Sequence, residues 1–274
     1  YVGQLTINTD GSVQSSLIDI TNGNMNADNE TLQFVEQLKE EVSGKGNFVI
    51  GHSDVDLMIY DSEGNRIVRK QETNIGDFCA DALRSFTDAD IAMVNGGGIR
   101  TNIKRGEILF NDLYNVMPFG DMIATGTFYG EQLLDVLEFA VSALPAEAGT
   151  FMQVSGLRFT VDPDIPSPVM KDTETGMFSH VGEGERRVSH VEILDKQSGE
   201  YKAVELSRQY TIARLDYLIL EQGGSGILSC VKPDSIYWGA DIEVLRHYLE
   251  SVLGGNIGSE YTQPQGRIIY KYFN

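Results

Sequence analysis

The three consecutive glycines at 96–98 constrain the fold of this chain more than any other feature. They directly follow the apolar run Ile91–Val94 and are flanked by Asn95 and Arg100. Because glycine lacks a Cβ, the backbone here can adopt positive φ, turn sharply and let another group approach closely. The pattern predicts a buried strand that ends in a turn. The guanidinium fork suits carboxylates and phosphates, so the turn is either a site for an anionic ligand or a plain turn with a solvated arginine.

Short strands and amphipathic helices alternate irregularly along the chain, which favours an α+β fold over a doubly wound sheet. The expected architecture is a mixed β-sheet domain with packed helices. Helices are predicted at Asn29–Val42, from Asn74 as N-cap, at Asn111–Met117, at Gly130–Leu144 and at Asp241–Leu253. Strands are predicted for a hairpin within residues 1–24, for Asn47–Tyr60, 90–94, Met122–Phe128, Val154–Val161, 188–194, 209–214 and 266–272, with an irregular excursion over 163–187.

The charge balance excludes some partners. The 274 residues include 40 acidic and 21 basic side chains, for a formal net charge of −19. A duplex nucleic acid or an anionic membrane surface needs a basic footprint, so neither is an expected partner. No apolar run is long enough to span a bilayer. The two cysteines, Cys79 and Cys230, are too few for a disulfide framework, and Cys79 is expected to be a buried free thiol.

No sequence motif marks a reaction centre. The phosphate-loop pattern is absent, because the glycine run is followed by Ile99 and not by lysine. The four histidines are scattered without a second ligand at a metal-binding spacing, so no metal site and no catalytic residue are expected in this chain. What remains is a set of binding candidates: the aromatic Phe119 between Pro118 and Gly120, the glycine loop 222–226, and Arg69.

Five motifs occur in a fixed order: 72–77, 94–100, 118–120, 154–157 and 223–226. Together they resemble the C-terminal domain of the 5′-nucleotidase family over about residues 50–274. The resemblance implies a substrate-binding domain at 47–274, preceded by an interdomain linker helix at 25–46. It also implies that residues 1–24 are the last strands of a metallophosphatase domain.

The resemblance implies that catalysis and substrate binding lie in different domains of the parent protein. Two divalent metal ions, such as Zn or Mn, and the catalytic residues are expected in the N-terminal metallophosphatase domain, which this chain lacks. The chain begins at Tyr1 without methionine, so we expect a piece of a longer protein. The resemblance implies that this piece is inactive alone and that the parent protein is secreted, periplasmic or at the cell surface. The partners expected are a nucleotide or nucleoside and that N-terminal domain.

The resemblance assigns substrate contacts residue by residue. The expected substrate-binding residues are Arg69, Asn95, Gly96, Gly97, Gly98, Arg100, Phe119, Tyr217 and Ser225. Phe119 and a second aromatic are expected to sandwich the base. Tyr217 is the candidate for that second position, although a strict count from the glycine loop reaches Ile219.

This chain departs from the family pattern at the second glycine loop. Ser225 stands where the family has an aspartate that holds ribose hydroxyls, and Ile227 replaces an aromatic. The loss of that acceptor is expected to weaken ribose recognition by roughly 1–3 kcal/mol. The substrate is therefore open between 5′-monophosphates, 2′,3′-cyclic nucleotides and nucleotide sugars, and a non-catalytic nucleotide-binding or surface interaction module is the alternative function.

Overall fold

The computed structural model describes residues 1–20, 27–174, 178–218 and 237–271. Within them the chain divides into two units, Tyr1–Asn47 and Phe48–Asn274. The glycine loop 222–226, which includes Ser225, lies outside the described residues, and so do Ile219, Ile227 and Cys230. Their predicted roles therefore remain predictions.

The first unit consists of a hairpin and a helix. Strand β1 (Val2–Ile7) pairs antiparallel with β2 (Val13–Ile18), which confirms the predicted hairpin. Helix α1 (Asn29–Gly46) begins after Asp28, whose carboxylate accepts a hydrogen bond from the Thr31 amide at 2.8 Å. The helix continues past its predicted end at Val42 to Gly46.

The second unit contains mixed sheets and packed helices, as the α+β prediction required. Its described helices are α2 (Asn74–Thr87), α3 (Phe110–Val116), α4 (Gly130–Ala140) and α5 (Asp241–His247). Its described strands are β3 (Val49–Ser53), β4 (Ile91–Asn95), β5 (Gly106–Leu109), β6 (Met122–Tyr129), β7 (Met152–Ser155), β8 (Leu157–Val161), β9 (Val169–Lys171), β10 (Phe178–Val181), β11 (Val188–Leu194), β12 (Tyr201–Ala203), β13 (Gln209–Leu215), β14 (Tyr237–Ala240), β15 (Asn256–Ile257) and β16 (Ile268–Tyr270).

A five-stranded sheet with the order β14-β6-β13-β4-β7 forms the centre of this unit. Its β13 and β4 run parallel, with Ile212 opposite Ile91, whereas the other neighbouring pairs are antiparallel. Because β4 and β13 are parallel, their carboxyl ends lie at the same sheet edge. The smaller described sheets have the orders β12-β11-β8-β16, β15-β3-β5 and β10-β9.

Helix α2 packs its apolar face against β4, β7 and β13 of the central sheet. The apolar side chains on this face repeat every three or four positions. Phe86 is half-buried, and the others are fully buried: Ile75, Phe78, Cys79, Ala82 and Leu83. Cys79 is a free thiol, as predicted. Burial in this apolar core raises its pKa, so the thiol stays protonated.

The start of α2 differs from the prediction. Thr73, not Asn74, is the N-cap, and its hydroxyl accepts a hydrogen bond from the Gly76 amide at 3.1 Å. Asn74 is instead a buried residue whose side chain hydrogen-bonds to two other segments of the chain. Its amide donates to the carbonyl oxygens of Asp56 at 2.9 Å and Tyr261 at 2.8 Å, and its Oδ1 accepts from the Met58 amide. These long-range partners override the local capping preference of asparagine.

The predicted continuous strand Val154–Val161 is wrong. Gly156, at φ +74°, breaks it into β7 of the central sheet and β8 of the four-stranded sheet. A Cβ on Gly156 would lie 2.1 Å from the Asp90 carbonyl oxygen, so a close backbone approach also requires glycine here. The residue thus moves the chain from one sheet to the next.

Other element boundaries also differ from the predictions. The expected strand Asn47–Tyr60 is limited to β3, and the predicted helix Gly130–Leu144 ends at Ala140. The predicted helix Asp241–Leu253 is α5 followed by a single π-helical turn, Tyr248–Val252. The excursion 163–187 contains the short hairpin β9–β10.

A buried ion-pair cluster connects α2 to the segment that precedes β16. The Arg267 Nη2 atom lies 2.8 Å from Asp81 Oδ2, and its Nη1 lies 3.4 Å from Asp77 Oδ1. Arg267 Nη1 also donates to the Val154 carbonyl oxygen at 2.8 Å. Burial lowers the pKa of Arg267, but the two carboxylates outweigh this effect and raise it above its usual value.

Candidate functional site

A pocket of about 370 Å³ opens at the sheet edge where β4 and β13 end. The parallel pairing brings the loops that follow these two strands together, although they are far apart in sequence. The pocket is lined by Arg69, Asn95, Gly97, Gly98, Arg100, Phe119, Asp121, Gly149, Thr150, Tyr217 and Leu218. Most of the predicted binding residues therefore share one pocket. Gly96 does not line it.

The glycine run shapes the pocket wall through close backbone packing. A Cβ on Gly96 would lie 2.2 Å from the Val68 carbonyl oxygen, and one on Gly97 would lie 2.9 Å from the Gly149 carbonyl oxygen. Neither these glycines nor Gly98 adopts positive φ, so close approach and not a left-handed turn explains them.

The amides of the glycine run are already occupied. Gly96, Gly97 and Gly98 donate to the carbonyl oxygens of Phe151, Gly149 and Asn95 at 2.7, 3.0 and 2.8 Å. These N–H groups cannot cradle an anion without losing internal hydrogen bonds. The amides of the glycine run are therefore not available as donors to a ligand.

Asn95 presents an unused acceptor at the pocket. The residue is only 6% exposed, and its Nδ2 donates to the Gly149 carbonyl oxygen at 3.4 Å. Its buried Oδ1 accepts a hydrogen bond from none of the described residues. A buried acceptor without a donor is costly, so a ligand donor at this atom would recover that free energy.

Two arginines give the pocket a local positive charge. Arg69 is half-buried, and its buried Nε has no hydrogen-bond partner in the described part of the chain. Burial lowers the pKa of Arg69, and the charges of Arg66 and Arg100 lower it further. Arg66 is paired with Glu147 at 3.1 Å. An anion between Arg69 and Arg100 would relieve both the desolvation and the repulsion.

Arg100 is exposed and held in place from two directions. Its Nη1 donates to the Gly97 carbonyl oxygen at 3.1 Å, and its guanidinium carbon lies 5.8 Å from the centroid of the Phe119 ring. This cation–π contact orients the guanidinium towards the aromatic part of the pocket.

Two exposed aromatic rings line the pocket. Phe119 is 61% exposed in the turn that precedes Gly120, whose φ is +68°. Tyr217 is 42% exposed on the 3₁₀ turn Asp216–Leu218 that follows β13. Phe119 is therefore not a core residue. Large exposed rings on the wall of one pocket are suited to stacking on a flat ligand.

The comparisons with known proteins agree with the order of the motifs. Residues 49–232 match the family model described as the 5′-nucleotidase, C-terminal domain. The chain belongs to this family. A 5′-nucleotidase of Vibrio parahaemolyticus is 28% identical over 271 residues, which cover 98% of this chain and 41% of that protein.

Two further matches differ in extent. The trifunctional nucleotide phosphoesterase protein YfkN of Bacillus subtilis is 37% identical over 136 residues, 48% of this chain and 9% of that protein. The solved structure of a 5′-nucleotidase precursor from Thermus thermophilus has the same fold, with a TM-score of 0.71 at 24% identity, over 99% of this chain and 50% of that one. The chain thus spans half or less of the length of these relatives.

Asp121 is the charged pocket residue of this 5′-nucleotidase C-terminal domain that sequence reasoning missed. Burial raises the pKa of its carboxyl group, and the charge of Asp216 raises it further. Gly149 and Thr150 were missed as well. They precede β7, which pairs antiparallel with β4, so they reach the carboxyl end of β4. Only the strand pairing places these residues at the site.

The described residues provide no evident metal centre. Within 1–20, 27–174, 178–218 and 237–271, no group of three or more His, Cys, Asp or Glu side chains could hold a metal ion. Among the same described residues, no helix has the length and apolar composition needed to cross a membrane.

Proposed function

We propose that residues 47–274 recognise a nucleotide or nucleoside, as the substrate-binding domain of a 5′-nucleotidase-like phosphoesterase. The observation that carries the proposal is the composition of one pocket. It combines the exposed rings of Phe119 and Tyr217 with the guanidinium groups of Arg69 and Arg100. A nucleotide has the matching parts, a flat apolar base and an anionic phosphate.

Each side chain has a role in this proposal. Phe119 and Tyr217 stack on the base, which contributes about 0.5–1.5 kcal/mol per aromatic pair beyond burial. Arg69 and Arg100 bind the phosphate through charge-assisted hydrogen bonds, and the free Nε of Arg69 supplies one of the donors. Asn95 Oδ1 accepts from a hydroxyl or amino group. Gly96, Gly97 and Gly98 shape the wall, and Ser225 is proposed to contact the sugar.

The hydrolytic step is proposed to occur on another part of the parent protein. The described residues lack a cluster that fits metal ions, so the two expected divalent ions, such as Zn or Mn, would belong to an N-terminal metallophosphatase domain. When bound there, such ions would supply an activated water for attack on phosphorus. This chain binds and orients the substrate, with 1–24 as the end of that domain and 25–46 as the linker.

The proposal covers several nucleotides and an extracytoplasmic location. 5′-Monophosphates, 2′,3′-cyclic nucleotides and nucleotide sugars all combine a base with a phosphate. A secreted, periplasmic or cell-surface protein that degrades nucleotides fits the family, and the upstream coding sequence tests this directly. It should encode both a metallophosphatase domain and an export signal, and the absence of that domain would contradict the parent enzyme proposed here.

Calorimetric titration of the chain tests the binding function. AMP should bind more tightly than adenosine or inorganic phosphate, because only AMP engages both the rings and the arginines. Phe119→Ala should weaken AMP and adenosine alike by roughly 1–3 kcal/mol. Arg69→Met should weaken AMP by about 1.5–3 kcal/mol and leave adenosine almost unchanged, because adenosine has no phosphate.

Tyr129 provides a matched control for the aromatic variant. It is 43% exposed and lies at the far end of β6, where it pairs with Gln209, whereas Ile123 pairs with Leu215 at the pocket end. Tyr129→Ala should leave AMP binding unchanged. Equal losses for Phe119→Ala and Tyr129→Ala, or no binding of AMP by the unmodified chain, would contradict the proposal.

A further inference from the structure

Asp121 is held rigidly through its backbone while its side chain stays unused. Its amide donates to Asp241 Oδ2 at 3.1 Å, and its carbonyl oxygen accepts from the Asp241 amide at 2.9 Å. The half-buried carboxylate lines the pocket and receives no hydrogen bond from the described residues.

The neighbouring carboxylates are used within the protein. Asp216 Oδ1 accepts from the Met122 amide at 3.1 Å, and Asp241 also accepts from the Ile242 amide at 2.7 Å. Asp121 thus differs from both, because it lines the pocket and its carboxylate accepts no hydrogen bond from the described residues. An ionised carboxylate accepts hydrogen bonds only, so its partner must be a donor.

We propose that Asp121 is a specificity-determining residue that accepts a hydrogen bond from an uncharged donor of the ligand, either a sugar hydroxyl or a base amino group. The inference rests on the proposed nucleotide-binding function and deepens it. Asp121 lies two residues after Phe119 and directly before β6. The Met122–Asp216 hydrogen bond connects the start of β6 to the turn that carries Tyr217. The donor is therefore on the nucleoside part of the ligand and not on the phosphate.

Charge supports this orientation. The pocket lining contains the two guanidinium groups and the single described carboxylate of Asp121. Asp216 and Asp241 add negative charge behind Asp121, which raises the pKa of its carboxyl group together with burial. A phosphate beside Asp121 would meet this repulsion, whereas a hydroxyl or amino group would satisfy the acceptor. A 2′,3′-cyclic phosphate, which removes both ribose hydroxyls, is disfavoured if the donor is on the sugar.

Titration of wild-type chain and Asp121→Ala with matched ligands tests the proposal. The ligands are AMP, its 2′-deoxy and 3′-deoxy forms, and purine riboside 5′-monophosphate, which lacks the amino group. Asp121→Ala should bind AMP about 10- to 100-fold more weakly than wild type. Removing from the ligand the donor that Asp121 contacts should weaken binding to the wild-type chain by a similar factor. It should not weaken binding to Asp121→Ala any further.

The ligand that binds both proteins equally well shows which part of the nucleotide carries the donor. Equal affinity of both proteins for a deoxy nucleotide assigns the donor to the sugar, and equal affinity for the purine riboside nucleotide assigns it to the base. Glu131→Ala, which removes an exposed negative charge after the far end of β6, should bind AMP like wild type. The melting temperature of Asp121→Ala should match that of wild type, because the contacts to Asp241 are made by the backbone.

The results separate this inference from the proposed function. If Phe119→Ala loses AMP affinity while Asp121→Ala binds every ligand as wild type does, the role of Asp121 is overturned and the nucleotide site stands. If the wild-type chain binds none of the nucleotides, both are overturned. An equal change in AMP affinity for Asp121→Ala and Glu131→Ala would mean that the effect comes from net charge alone. This result would also overturn the role of Asp121.

Discussion

Replacement of Gly96 by alanine should destabilise the fold more than any other single methyl addition in the glycine run. The new Cβ would lie 2.2 Å from the Val68 carbonyl oxygen and 3.0 Å from its carbon. Both are backbone atoms, so no side-chain rotation can relieve the overlap. The Gly96 amide donates a hydrogen bond to the Phe151 carbonyl oxygen, and the Val68 carbonyl oxygen accepts one from Gln153 Nε2 at 2.9 Å. Any shift of either backbone segment would therefore strain these hydrogen bonds.

The expected loss follows from two opposing effects. Overpacking in a well-packed interior costs typically about 1–3 kcal/mol, and the backbone overlap places Gly96→Ala at the upper end. Alanine restricts the unfolded chain, which returns about 0.4–1 kcal/mol where the native backbone accepts it, as it does here without positive φ. The net decrease in the free energy of unfolding should be about 2 kcal/mol.

Gly98→Ala is the matched control in the same turn. Its Cβ would lie 3.3 Å from the Asn95 oxygens and 3.6 Å from Leu215 Cδ1, distances that a small adjustment can accommodate. Urea denaturation followed by circular dichroism should give a clearly lower midpoint for Gly96→Ala and a change below about 1 kcal/mol for Gly98→Ala. Equal midpoints for the two variants would refute the argument that close backbone approach selects glycine at position 96.

Two further variants test the buried charges. Arg267→Met should lower the free energy of unfolding by about 3–5 kcal/mol, since it leaves Asp77 and Asp81 unpaired, whereas Arg246→Met at an exposed pair should cost less than about 1 kcal/mol in the same urea titration. Burial raises the pKa of Asp241 to about 6, with neighbouring carboxylates adding to it, so the fold favours the protonated form. Its stabilising contribution is complete below about pH 4 and is lost as the pH rises through about 6. The urea midpoint of wild type relative to Asp241→Asn should therefore fall from pH 4 to pH 7, and a constant difference would contradict this.

The elements that the sequence predicts well are those set by local patterns. Helix α2 was recognised because its apolar residues repeat every three or four positions, and all of that face except the half-buried Phe86 is fully buried. Its first residue was misassigned because Asn74 bonds to Asp56 and Tyr261, and no local preference reveals partners so distant in sequence. The break at Gly156 has the same origin, since the clash that requires glycine is with Asp90.

The candidate site divides in the same way. The family resemblance selected seven residues that the structure brings to one pocket: Arg69, Asn95, Gly97, Gly98, Arg100, Phe119 and Tyr217. Their roles in binding remain predictions. Of the lining residues that were not selected, Gly149 and Thr150 reach the pocket through the pairing of β7 with β4.

The glycine run also separates shaping from binding. Its amides are satisfied by the protein, so the motif fixes the wall, and in the proposed function the neighbouring side chains recognise the ligand. Variation at those side chains can then alter the ligand without disturbing the close backbone contacts. The absence of an aspartate at position 225 and the presence of the unused carboxylate of Asp121 fit this separation.

The same separation explains how an acidic chain can hold an anionic ligand. The net charge of −19 repels a nucleotide at long range, but salt at physiological strength screens exposed charges beyond about 8 Å. Inside the pocket, Arg69 is half-buried, and the charge of Arg100 lowers its pKa. In the proposed function, a bound phosphate would remove this local repulsion, so we expect the binding free energy to depend on these two guanidinium groups and little on the charge of the whole chain.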